Sequence, residues 1–340
     1  MDIALKQRGR ASIDFAADLG GTGGRLAMAV NEKVSALDLA DDLGERMTQV
    51  DEALADDPTH WFSRQLGEWS ATHHGRITAE AFEAIKTELE PEFQRLKEGP
   101  TQIEANPDCE VPDYWVGVDF HRTTGGWVRE HQGFIHGELI HPRYVAKNYP
   151  GGIFKQRGEV LEELGGREYR RIFEMGTSSA HYTLQLAAKF PNAEITGCDL
   201  GLPMLEQAQR VANERGLKWR LIQAPAEATG LPGESFDLVT SYIILHEMPA
   251  SANRAVFEEA FRLLEPGGTV LMTDIRPFRD LNKVEEWRAM YLALNGGEPY
   301  WREAASLNLA DLAADIGFVE TKSYGLGERH YPWVTIGTKP

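Results

Sequence analysis

From Tyr169 onward, short apolar runs alternate with amphipathic stretches of helical spacing, joined by brief connections. Arg171-Ile172-Phe173-Glu174-Met175 is a buried-strand candidate, followed by a helix over 181–190. Strands are also expected at 193–198, 218–223, 236–244 and 269–273, with helices at 204–216 and 255–264. Apolar runs of that length, bounded by turn residues, suit strands covered on both faces. The alternation leaves one economical solution, a parallel sheet with helices packed on both sides. A helix at 309–316 and strand candidates around Val319 and Val334 would close it with an antiparallel hairpin.

The part before Tyr169 has another texture. Residues 28–98 read mostly as helix, broken at Asp57-Pro58-Thr59, with a second amphipathic stretch over 77–96 interrupted by Pro91. Gly20-Gly21-Thr22-Gly23-Gly24-Arg25 lacks the Lys-Ser/Thr ending and the preceding strand of a phosphate loop, so a flexible turn is expected. After turns near Pro100, Pro107 and Pro112 come a strand candidate at 114–118 and an aromatic, histidine-rich loop to about Tyr149. Pro150-Gly151-Gly152 marks the expected boundary between a helical cap or oligomerisation domain, 1–150, and a second domain, 151–340.

Chemistry concentrates after that boundary. Glu174-Met175-Gly176-Thr177-Ser178-Ser179-Ala180 ends a strand in an acid, turns on a glycine and enters a helix through small residues. Such a turn lets backbone approach a ligand closely and aims helix N–H groups at its polar end. Asp199 ends the next strand, where a carboxylate can accept both hydroxyls of a ribose.

Five pieces in order resemble class I S-adenosylmethionine-dependent methyltransferases, in particular the small-molecule branch that includes ubiquinone-biosynthesis enzymes. They are Phe173-Glu174-Met175-Gly176, Gly197-Cys198-Asp199-Leu200 with Met204-Leu205, Ala226-Glu227, Phe236-Asp237-Leu238-Val239, and Leu264-Glu265-Pro266-Gly267-Gly268. A sixth, Ala314-Asp315-Ile316-Gly317-Phe318, is similar to the family's last helix and turn. The resemblance implies a Rossmann-like, doubly wound α/β fold with a mostly parallel seven-stranded sheet, and S-adenosylmethionine as cofactor. It implies that Glu174, Gly176 and Ser178 hold the methionine end. Asp199 would bind the ribose, Leu200 would lie against the adenine, and Ala226 and Glu227 would flank its edge. Ser241 and Tyr242 would lie beneath the methyl donor. Ser178 and Ala180 replace the family's usual later glycines, and Pro225 an adenine-reading aspartate. A serine at the second glycine position also disfavours a nicotinamide-dependent reductase, whose pyrophosphate needs close backbone approach. A non-catalytic S-adenosylmethionine-binding protein is the third reading.

Methyl transfer needs an aligned acceptor and, where necessary, a base. His246 and Glu247 follow the fourth strand, at the sheet end where ligands bind. His121 is a further catalytic candidate, and Trp127, Tyr242, Asp274, Tyr300 and Trp301 are substrate candidates. Asp274 and Arg276 also fit a loop salt bridge. His131, His136 and His141 follow His121 at spacings of ten, five and five, which match no metal-binding pattern, so no metal ligand is assigned.

Composition sets outer limits. A net charge of −17 disfavours nucleic acid and anionic membranes as partners. Two cysteines, Cys109 and Cys198, exclude a disulfide scaffold and suit the cytoplasm. No apolar run reaches membrane-spanning length. The expected partner is a small-molecule acceptor, with the helical part also suited to a homodimer contact.

Overall fold

In the computed structural model, which describes residues 3–123, 125–146 and 153–340, the alternation after Tyr169 becomes one sheet. Its strands are β1 (Gln102–Glu104), β2 (Arg171–Met175), β3 (Glu194–Asp199), β4 (Trp219–Gln223), β5 (Phe236–Tyr242), β6 (Leu264–Asp274), β7 (Val319–Gly325) and β8 (Trp333–Thr338). Their spatial order is β1-β4-β3-β2-β5-β6-β8-β7. Strands β1 to β6 pair in parallel, and β8 runs antiparallel between β6 and β7. Seven strands are those expected. The eighth, β1, comes from the amino-terminal part and extends the edge at β4. The strand expected at 114–118 is instead a run of turns, with Gly117 at a φ of +72° and Val116 exposed.

Side chains alternate across a strand, so neighbours enter different cores. Phe173, Val239 and Met272 pack under the helices Ala250–Leu263 and Leu309–Ile316, through Val256, Phe257 and Leu312. Ile172, Leu238 and Leu271 pack on the other face, under Ile153–Leu161, His181–Lys189 and Leu202–Glu214. The sheet is therefore doubly covered, with its carboxyl ends left for a site.

The amino-terminal helices are α1 (Gln7–Ser35), α2 (Leu43–Leu54), α3 (Pro58–Glu83) and α4 (Lys86–Lys97). Helix α1 lies antiparallel along α3: Gly9 sits beside Ala81 and Gly23 beside Leu66. Gly20 to Gly24 are thus helical, not a flexible turn. Burial of Ile13, Ala16, Ala17, Val30 and Val34 on either side outweighs the weak helix propensity of that run. The break at Asp57-Pro58 is as expected, since the Asp57 side chain caps α3 by accepting from His60 N. Pro91 does not interrupt a helix over 77–96; it lies within α4, and the break falls between α3 and α4.

The histidine-rich stretch is not a loop. A helical turn at Gln132–Phe134 runs into a π-helical segment, Ile135–Val145, because Phe134, Ile135, Leu139 and Ile140 pack against Ile13, Phe82 and Phe93. Thr124 and the boundary at Pro150-Gly151-Gly152 lie outside the described residues. The helical layer also takes an element from the second half. In the helix Lys283–Asn295, Trp287 is fully buried among Val30, Val34, Val50 and Leu54, and Glu286 accepts from Arg46 at 2.6 Å.

Candidate functional site

The sheet's carboxyl ends and the helical layer enclose a cavity of ≈ 660 Å³, a size typical of small-molecule sites. Two walls meet in it. The strand-end wall contains Glu174, Gly176, Ser178, Asp199, Leu200, Ala226, Glu227 and Tyr242.

Glu174 is buried near the end of β2, and among the described residues its Oε2 has no hydrogen-bond partner. Burial pushes its pKa up to about 8. Gly176 turns the chain beside it at a φ of +76°, and a Cβ there would lie 2.5 Å from Ile244 Cγ2, so only glycine fits. Asp199, at the end of β3, accepts the Ser178 and Gly201 N–H groups at 2.8 Å each. Burial raises its pKa to about 6 against those two bonds. Each of its oxygens keeps a second lone pair for a ligand. Glu227 accepts the Tyr114 hydroxyl at 2.7 Å, and its Oε2 is without a partner among the described residues.

A buried Glu174 and half-buried Asp199 and Glu227 with spare acceptor sites favour a ligand that brings cations and hydroxyl donors. S-adenosylmethionine, with an ammonium, a sulfonium, ribose hydroxyls and an adenine amine, meets that demand. Ser241 does not contribute. It is wholly buried, donates to Met272 Sδ at 3.1 Å and lies off the cavity, because β5 turns that side chain into the sheet's core.

The opposite wall is built around two histidines. His246 is buried just beyond β5, and its Nδ1 lies 2.9 Å from Asp274 Oδ1. Asp274 also accepts the N–H groups of Leu245 at 2.6 Å and Ile275 at 2.8 Å. That carboxylate fixes the imidazole with Nδ1–H as donor, leaving Nε2 as its acceptor. Burial pulls the His246 pKa down, but Asp274, with help from Glu247, outweighs it and leaves the value raised. Asp274 is therefore a positioning group for His246 rather than a substrate contact; it is buried behind the histidine.

His121 bridges two acids: Nδ1 pairs with Glu298 Oε1, and Nε2 lies 3.1 Å from Glu247 Oε1. The Trp127 indole N–H donates to Glu247 Oε2 at 3.0 Å. Burial lowers the His121 pKa, but Glu298 and Glu247 more than compensate and hold it at about 10. Held protonated between two carboxylates, His121 is poorly placed to take up a proton. Trp301 lines the cavity with its ring 5.1 Å from that of His246. Tyr300 does not reach the cavity; its hydroxyl donates to the Tyr114 carbonyl at 2.9 Å. Arg276 pairs with Asp280 and Glu285, as a loop salt bridge should.

His136 and His141 line the cavity with His181, which burial holds at a pKa of about 3. His131 is buried elsewhere, between Phe82 and Phe93. His121, His246 and Glu298 do present ligand atoms within 4.8 Å of one another. Both ring nitrogens of His121 are already bound to carboxylates, so a metal there would have to break one of those pairs. Sequence reasoning missed Tyr114, Arg157, His181 and Glu298, all of which line the cavity. The loop carrying Glu298 was visible as Asn295-Gly296-Gly297-Glu298, but nothing in sequence joined it to His121, 177 residues away.

Residues 172–268 match the family described as a methyltransferase domain. Demethylmenaquinone methyltransferase of Thermus thermophilus is 34% identical over 141 residues, 41% of this chain and 63% of that protein. Malonyl-[acyl-carrier protein] O-methyltransferase of Legionella pneumophila is 28% identical over 154 residues, 42% of this chain and 53% of that one. The chain thus spans under two thirds of the length of either relative. Among solved structures, phosphoethanolamine N-methyltransferase 2 of Haemonchus contortus is similar at a TM-score of 0.46 and 17% identity, covering 57% of this chain and 54% of that one. Strand order, the glycine turn, the two strand-end acids and the matched segment agree: residues 172–268 form a methyltransferase domain of the class I, S-adenosylmethionine-dependent type.

Proposed function

We propose that the protein transfers a methyl group from S-adenosylmethionine to a small-molecule acceptor. The observation that carries this is the strand-end wall, where Glu174 is buried and Asp199 and Glu227 are half-buried, all three with acceptor capacity to spare. Glu174, beside the Gly176–Ser178 turn, holds the methionine ammonium. Asp199 takes the ribose hydroxyls. Leu200 and Ala226 pack on the adenine while Glu227 accepts from its edge, and Tyr242 lies under the donor. When bound, the cofactor supplies a methyl group already activated on sulfur.

The chain itself must then align the acceptor and manage its proton. His246 is placed to take that proton, because Asp274 holds the ring and leaves Nε2 free to accept it. Glu247 and His121 fix Trp127 and the chain entering the site, and Trp301 walls the acceptor. We place most of the acceptor's surroundings in residues 1–150, with β1 as the strand this part contributes to the 151–340 domain. Phe15, Met28, Trp61 and Phe62 are exposed on α1 and α3, which supports a homodimer contact there. A cytoplasmic setting agrees with two free cysteines and with no helix of the described residues being long and apolar enough to cross a membrane.

The test is turnover with donor labelled on the methyl group across a panel of oxygen, nitrogen, carbon and sulfur acceptors. Label in one acceptor with matching S-adenosylhomocysteine is the expected result. Cofactor binding without transfer to any member would favour a non-catalytic binding protein.

A further inference from the structure

The cavity continues past the methyl-transfer site, between α1, α3 and the helix Lys283–Asn295. Gly23 and Gly24 line it from α1, Leu66 and Gly67 from α3, and Arg288 and Leu292 from the third helix. Interior glycines weaken a helix and are normally kept for close packing. A Cβ on Gly24 or Gly67 would meet nothing within 4 Å, so packing between the helices requires neither. What they leave is a corridor open to solvent, since Gly24, Gly67 and Leu292 are exposed, with Leu66 and Leu292 as its apolar lining.

Arg288 is the charged group of this corridor. Its guanidinium lies 5.4 Å from the Tyr291 ring centroid, and burial lowers its pKa. Among the described residues it makes no hydrogen bond or ion pair. The cavity's carboxylates are engaged elsewhere: Glu227 accepts from Tyr114, Asp199 accepts backbone N–H groups, and Glu247 and Glu298 pair with His121, so none of them pairs with Arg288. A guanidinium does not lose its charge, so a partly desolvated and unpaired one needs an anion, and carboxylates match its planar fork. Glu174 and Asp199 at the strand ends would repel a second negative group placed beside them.

We propose that the corridor holds the apolar chain of an elongated acceptor whose distal carboxylate pairs with Arg288. That this ligand is the methyl acceptor rests on the methyl-transfer reading; that it binds here does not. Binding of decanoate and of 1-decanol to the full chain, measured by calorimetry without methyl donor, separates head-group from chain. Wild-type protein should prefer decanoate by about ten- to a hundred-fold, the range of a charge-assisted hydrogen bond. Arg288→Gln should erase that preference and keep the affinity for 1-decanol. Gly24→Leu, which favours the helix and fills the corridor, should weaken both ligands. Equal wild-type affinities, a preference surviving in Arg288→Gln, or undiminished binding in Gly24→Leu would each overturn the proposal. If Arg288→Gln does not fold, the other two comparisons decide it. A protein that binds decanoate through Arg288 but transfers no methyl group would overturn the methyl-transfer reading alone.

Discussion

The two walls of the cavity are built by different rules. On the strand-end wall each group follows a strand directly: Glu174 in β2, Asp199 at the end of β3, Tyr242 at the end of β5. Strand pairing alone brings them together, since β2 lies between β3 and β5 in register. On the helical wall, one pair joins His121 to Glu298 across 177 residues, and others run to Glu247 and Trp127. The first wall is set by local sequence and topology, the second by long-range packing. A wall of the first kind suits a ligand shared by many enzymes, and one of the second kind suits a ligand particular to this chain.

The largest effect expected from this division is at His246, where the walls meet. His246→Ala should lose about 10²–10⁴-fold in turnover while keeping cofactor affinity. His246→Gln, which can hydrogen-bond but takes up no proton near neutral pH, should not restore it. Because the folded pKa of His246 is raised above 6.5, and the neutral form is the active base, wild-type rate should rise with pH through an ionisation above that value. A Gln variant with near-normal turnover and an unchanged pH profile would move His246 from chemistry to packing.

Asp199→Ala comes next and separates the walls most cleanly. It should weaken cofactor binding by about ten- to a hundred-fold, as lost charge-assisted hydrogen bonds to the ribose require, and leave decanoate binding intact. Equal loss for both ligands would show that the walls are not independent.

Glu174 gives a proton-linked signature. In the free protein its pKa of about 8 leaves it mainly protonated at pH 7, and a bound ammonium would favour the carboxylate. Cofactor binding at pH 7 should therefore release roughly one proton, read from the dependence of calorimetric enthalpy on buffer ionisation. The same shift works against stability as pH rises. The folded state holds this proton more tightly than the unfolded one, so the contribution is full below about 4.5 and is lost as pH climbs through 8. Binding without proton exchange would remove Glu174 from the ammonium site.

The smallest effect belongs to Tyr300, one layer behind the helical wall. Tyr300→Phe removes a bond to the Tyr114 carbonyl and should cost about 0.5–1.5 kcal/mol of stability by denaturant melt, without changing cofactor affinity.

The same division explains what could be read from sequence. Five strands of the methyltransferase part and the helices between them follow from apolar runs and glycine turns, and their order places Glu174 and Asp199 side by side. Ser241 was misplaced by one step of strand alternation: Tyr242 faces the cavity, so its neighbour faces the core. The helical side resisted for physical reasons. Gly20 to Gly24 have turn propensity, yet the apolar stripes flanking them hold α1 straight through. The partners of His121 and the insertion of Trp287 among α1 and α2 depend on contacts that no local pattern encodes. Nothing in the sequence around Arg288 marks it as a cavity residue; only the fold brings it there.

The central claim is that the strand-end wall is a site for S-adenosylmethionine. Titration of wild-type protein with S-adenosylmethionine and with NADP⁺ by calorimetry tests it directly. The expected result is saturable one-to-one binding of S-adenosylmethionine, weakened in Asp199→Ala, and no heat of binding with NADP⁺. Binding of NADP⁺ in preference, or S-adenosylmethionine affinity unchanged in folded Asp199→Ala, would contradict it.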